Sequence, residues 1–188
     1  MLIAVFGALI VLIVVASVLL RDGDGNDAVI PIGRGKGTPP VSSGPVDLRE
    51  PLTFRLLAAT SGPPCKAGSL PSGAECVTLS PDVLTVHRLE RVEATPPDLA
   101  RGSSAWSVSI TLTSADTSGF ADLTSKAAKA YDVQLPAGRM AMLIGDSLIS
   151  EPAAVAQPIT GGQVQISGPA SKFTRAYAED IVHRLIGR

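Results

Sequence analysis

The sequence is poor in charge and in aromatics. Only 18% of its 188 residues are charged, and 16 basic residues against 17 acidic ones leave a net charge of −1. With no basic excess to neutralise phosphates, nucleic-acid binding is disfavoured. One Trp, two Tyr and four Phe make a base-stacking platform equally poor. Two cysteines and two histidines cannot complete a four-ligand structural zinc site without carboxylates. His87 and His183 are the only imidazoles and no G-x-S-x-G elbow is present, so no catalytic residue and no cofactor is assigned. His87 stands beside Arg88 in a strand-like stretch, and His183 suits a helix C-terminus. Glu179 and Asp180 are adjacent, point to different sides of a helix and make no acid/base pair. Asp22, Asp24 and Asp27 have a faint look of a calcium loop. Gly33 stands where such a loop needs Glu, so no metal is expected there. GRGKGT (Gly33 to Thr38) fails as a phosphate loop because Gly37 follows Lys36.

Apolar residues are plentiful, at 45%, and mean hydropathy is +0.30. Leu2 to Leu20, LIAVFGALIVLIVVASVLL, runs without a charge. As a helix it spans roughly 28 Å, about the thickness of a bilayer's hydrocarbon core. A cleaved signal peptide would have a basic start, a shorter run and small residues at its end, where Val18, Leu19 and Leu20 stand. The expectation is a single transmembrane anchor over residues 1–20. Arg21 to Val46 then holds six Gly and four Pro in 26 residues without periodicity. It reads as a flexible linker with a root-mean-square reach of about 28 Å. The remaining domain, 47–188, follows it.

Orientation is contested. Arg21, Arg34 and Lys36 follow the span and nothing basic precedes it, which by itself puts the C-terminal part in the cytoplasm. Cys65 and Cys76 point the other way, as a close pair in the loop-like PPCKAGSLPSGAEC. Bridged, they would close a short loop and stabilise the fold by about 3 kcal/mol.

Within the domain, Pro51 to Leu57 and Val83 to Val92 read as strands or short irregular elements. Trp106 to Thr113, WSVSITLT, alternates cleanly as a half-buried strand. Ser114 and Asp116 offer caps for a helix reaching Tyr131, with Phe120, Leu123, Ala127 and Tyr131 on its apolar face. Arg139 to Ile144 and Leu148 to Ser150 form a hairpin about Gly145-Asp146, and Gln163 to Ser167 a further strand. A last helix starts near Ser171 with Phe173, Tyr177, Ile181 and Leu185 as its stripe. The order implies an α+β fold, a mainly antiparallel sheet with two helices on one face. Ser107, Ser109 and Thr111, with the Thr160 to Gln165 stretch that holds Gly161, Gly162, Gln163 and Gln165, supply two polar surfaces. They are candidates for polypeptide binding, set against the plain alternative of a wet sheet face.

From Trp106 to Leu185 the sequence resembles the head subdomain of the first large extracytoplasmic domain of SecD, an accessory subunit of the bacterial Sec translocon. WSVSITLT, Phe120, Leu123-Thr124, MAMLIGDSLISEP, PITGGQVQISG and Phe173-Thr174 carry the likeness, in the family's order. Gly145-Asp146 in place of Asp-Gly, Glu151 in place of Ala, and the extra Pro169 to Lys172 depart from it. SecD proteins also have a bundle of membrane helices for proton coupling and a ferredoxin-like base. One apolar run without ionisable residues supplies neither. The resemblance therefore implies a head-like module on a tether rather than a motor, and it places the domain outside the cytoplasm, in agreement with the cysteines. Its implied partners are a translocating polypeptide or components of the Sec translocon, besides the membrane. The alternative is an envelope structural or regulatory anchor that reuses the fold for another partner.

Overall fold

The computed structural model describes residues 44–187. The apolar run, the calcium-like Asp cluster and the linker up to residue 43 lie outside the described residues. No helix among those described is long and apolar enough to cross a membrane.

The chain order is β1 (Val46–Ser61), β2 (Ser69–Ser72), β3 (Glu75–Thr95), β4 (Ser107–Leu112), α1 (Ser114–Asp132), β5 (Arg139–Ile144), β6 (Ser147–Leu148), β7 (Ala153–Ala154), β8 (Gln163–Ile166) and α2 (Arg175–Ile186). The strands form one sheet in the order β6-β5-β1-β3-β4-β8, with β2 added to β3 and β7 to β5. Every pairing is antiparallel. β3 is long enough to serve three neighbours, β2 among them from Glu75 to Thr78. Its first part pairs with β1, from Cys76 to Leu89, and its last part pairs with β4, from Leu89 to Thr95. A register shift opposite Arg55 and Leu57 falls at Ser80-Pro81-Asp82, where Pro81 has no donor to give a ladder. Arg55 Nε and Nη2 donate to the Ser80 carbonyl at 3.1 and 2.7 Å and satisfy it.

Period-two alternation sorts the sheet into two faces. Leu52, Phe54 and Leu56 of β1 join Met140, Met142 and Ile144 of β5, and Val108, Ile110 and Leu112 of β4, on the core face. Both helices cover that face. Phe120, Leu123 and Ala127 of α1 and Ala178, Ile181, Val182 and Leu185 of α2 belong to the same buried cluster. Phe120 meets Phe54 edge-on, with ring centres 4.9 Å apart. The α+β arrangement of an antiparallel sheet and two helices is thus present. Out-of-phase residues make a small second cluster of Leu57, Val77, Ala141 and Leu143, with Leu70, Leu79 and Leu148 packed against it.

Several local details differ from the sequence reading. The cap of α1 is Thr113, whose hydroxyl accepts from the Asp116 amide at 3.3 Å and donates to its carboxylate at 2.8 Å. Tyr131 is 42% exposed in the last turn of α1, where Gly138 lies close against its backbone. α2 begins at Arg175, since Lys172 and Phe173 amides turn back onto the Pro169 carbonyl and Thr174 is the capping residue. The return strand of the hairpin is Ser147–Leu148, and Gly145 supplies the positive φ of 56° at its turn. The cysteine loop is only partly a loop: Leu70 pairs with Val77, and Pro71 with Cys76. Cys65 and Cys76 are joined by a disulfide.

Candidate functional site

The two edges of the sheet are unequal. On one side β5 is flanked by β6 and β7, so its outer backbone groups have partners. On the other side lies β8, which pairs only with β4 among the described residues.

Which groups β8 leaves outward follows from its register. Val108 stands opposite Ile166, Ser109 opposite Gln165, Ile110 opposite Val164 and Thr111 opposite Gln163. The next pair in that register is Leu112 with Gly162, and the Leu112 amide donates to the Gly162 carbonyl at 2.8 Å. Antiparallel ladders alternate hydrogen-bonded and non-hydrogen-bonded pairs. Counting in twos from Gly162, Val164 and Ile166 spend their backbone groups on β4. Gln163 and Gln165 therefore point theirs away from the sheet.

The site is held from below. Val164 and Ile166 are buried on the core face, while Gln163 and Gln165 are exposed on the other. Gly162 enters the strand at φ +65°, and a Cβ there would meet Thr117 Oγ1 at 2.5 Å. Ile159, on the approach to β8, donates its amide to Thr124 Oγ1 at 3.0 Å, and that hydroxyl donates to the Phe120 carbonyl at 2.8 Å. Beyond β8, Phe173 is fully buried and its carbonyl accepts from the Trp106 amide.

Of the seven sequence-predicted binding residues, Gln163 and Gln165 lie at the free edge with Gly161 and Gly162 leading into it. Ser109 and Thr111 lie one strand inward on the same polar face. Ser107 differs. It is 1% exposed, and its hydroxyl accepts from Gln165 Nε2 at 2.9 Å, so its polar atom serves the sheet. Ser109 shares a hydrogen bond of 3.0 Å with Thr95 across to β3. The sequence carried a further signal for this edge: no charged residue occurs between Glu151 and Lys172, the run that supplies β8 and both its flanks. Edge strands are commonly guarded by charges, Pro or bulges against pairing with another chain. β8 itself, QVQI, has none of these.

The histidines are apart from this edge. His87 is exposed on β3, in a shallow depression with Arg88, Glu90, Thr113 and Asp116. His183 is exposed in the last turn of α2, whose end Gly187 closes at φ 71°. Among the described residues no group of three or more His, Cys, Asp or Glu is placed to hold a metal ion.

A family model described as "SecDF, P1 head subdomain" matches residues 70–185. The chain belongs to that family. The match reaches further back than the likeness from Trp106 onward, and takes in β2 and β3 as well. A solved structure titled "Crystal structure of SecDF in Super-membrane-facing form" aligns with a TM-score of 0.43 and 18% identity. The alignment covers 71% of this chain and 19% of that one, so this SecDF-type head spans about a fifth of the SecDF chain it matches. No curated protein matches the chain.

Proposed function

We propose that this SecDF-type head is a membrane-anchored, extracytoplasmic and non-catalytic binding module that acts alongside protein translocation by holding an extended polypeptide. The single observation that carries this reading is the open edge of β8, whose outward Gln163 and Gln165 backbone groups form a template for one more strand. Family membership supplies the translocation setting. The Leu2 to Leu20 run supports the anchor, and the disulfide supports an oxidising compartment. A polypeptide in transit is unfolded and has unpaired backbone groups of its own, which is what a free edge recognises without demanding one sequence.

In-cell photocrosslinking from positions 109, 163 and 165 tests the reading. Secretory precursors or translocon subunits among the adducts are the expected result. One resident envelope protein as the sole adduct would replace this reading with the reuse of the fold for another partner. Adducts with cytoplasmic proteins alone would overturn the topology.

A further inference from the structure

The polypeptide-binding reading leaves open what kind of segment the edge accepts, and the register of β8 restricts it. This step rests on that reading and adds a chemical specificity. We infer that the β8 edge takes an extended segment in one phase. Its hydrogen-bonded residues tolerate polar side chains, and the residues between them are apolar and uncharged.

An added strand bonds only to outward groups, which belong to Gln163 and Gln165, so two alternate residues of the incoming segment lie opposite these two. Opposed residues in a ladder project their side chains to the same face. The hydrogen-bonded residues of the segment therefore share the wet face of Gln163 and Gln165, both exposed. The intervening residues, opposite Val164 and Ile166, fall on the helix-covered side, where Val164 retains 7% exposure and Ile159 8%. Apolar side chains placed there extend the core edge. A charge placed there would lose hydration, and the uncharged run from Pro152 to Ser171 offers it no counter-charge.

The same geometry identifies the backbone atom that matters. The Gln165 amide points outward and makes no bond to β4, so proline at that position removes a donor for the incoming strand while sparing the existing ladder. The Val164 amide faces β4, so proline there breaks the sheet.

The test measures binding of a capped Thr-Val-Thr-Val-Thr-Val-Thr peptide to the full chain in detergent. N-methylation of all four threonines is expected to weaken binding by more than about tenfold, since the two that lie opposite Gln163 and Gln165 each lose a strand hydrogen bond. N-methylation of the valines is expected to leave it unchanged. Replacing the valines with Asp should abolish binding, and replacing the threonines with Asp should not. Both Gln165→Pro and Gln165→Ala lose the Nε2 bond to Ser107, so the Ala variant is the stability reference. Gln165→Pro is expected to match its circular dichroism spectrum and melting temperature and to bind the peptide at least about tenfold more weakly than it. Binding that is equally sensitive to methylation of Thr and Val, or a Gln165→Pro protein that binds normally, overturns the phase assignment alone. Absence of binding by the unmodified peptide overturns it together with the polypeptide-binding reading.

Discussion

The two ends of the sheet are finished in opposite ways. At the β5 end short segments cover the strand. β6 and β7 pair with the strand, and Arg184 donates to the Ile144 carbonyl at 3.1 Å. The Tyr177 hydroxyl reaches the Ile149 carbonyl at 2.7 Å. The three-stranded arm of β1, β2 and β3, at the far end of β1, is clipped by a disulfide. At the β8 end a four-residue strand without charge is held on one side only. Closure costs a domain little when short strands suffice, as β6 and β7 demonstrate with two residues each. The edge left open in the same sheet is the feature on which the proposed binding of another chain rests.

That contrast can be broken from either end. The largest effect belongs to the arm. Replacing Cys65 and Cys76 with Ser releases the closed loop and is expected to cost about 3 kcal/mol in denaturant unfolding, with polypeptide binding unchanged. If binding falls as well, the arm and the open edge are not separate. Gly162→Ala comes next, at about 2 kcal/mol, because it places a Cβ at φ +65° and against Thr117 Oγ1. This change should lower stability and weaken binding together, since Gly162 starts the open strand.

Thr124→Val is smaller. It leaves the Ile159 amide without its partner at a buried site, for a loss of about 1 kcal/mol by urea titration, and should loosen the approach to β8 first. Tyr177→Phe, at the tied end, is expected to cost about 1 kcal/mol through the lost bond to Ile149. Its signature is a pH dependence. Burial, partly offset by Arg184, holds the Tyr177 phenol above its ordinary value of 10.0. A raised value favours the protonated form in the folded state, so its contribution is complete below pH 10.0 and is lost as pH rises through the folded value. Stability curves of wild type and the Phe variant should therefore converge in strong alkali.

Strong alternation made part of this fold legible in the sequence. The alternation of WSVSITLT marked a strand, realised as Ser107–Leu112, and the hairpin that begins with Arg139 to Ile144 announced itself through Gly145-Asp146. The length of β1 and β3 was not legible. Beyond Leu57 the strand turns polar and exposed, and Pro81 interrupts β3, so local patterning stops before the pairing does. β7, two alanines, has no pattern to read. At the site, the polar character of Gln163 and Gln165 was readable, but the outward direction of their backbone groups was not. It depends on which residue of β8 faces Leu112, and that is a tertiary fact. The burial of Ser107 is of the same kind, since a serine alternating with valine reads as wet until Gln165 is placed beside it.

Amide hydrogen exchange resolved by residue tests the open edge most directly. In the free protein the Val164 and Ile166 amides should be protected by β4, while those of Gln163 and Gln165 exchange at close to solvent rates. An added extended polypeptide should protect the second pair without altering the first. Protection of Gln163 and Gln165 in the free protein, or their continued fast exchange with polypeptide bound, would contradict the account.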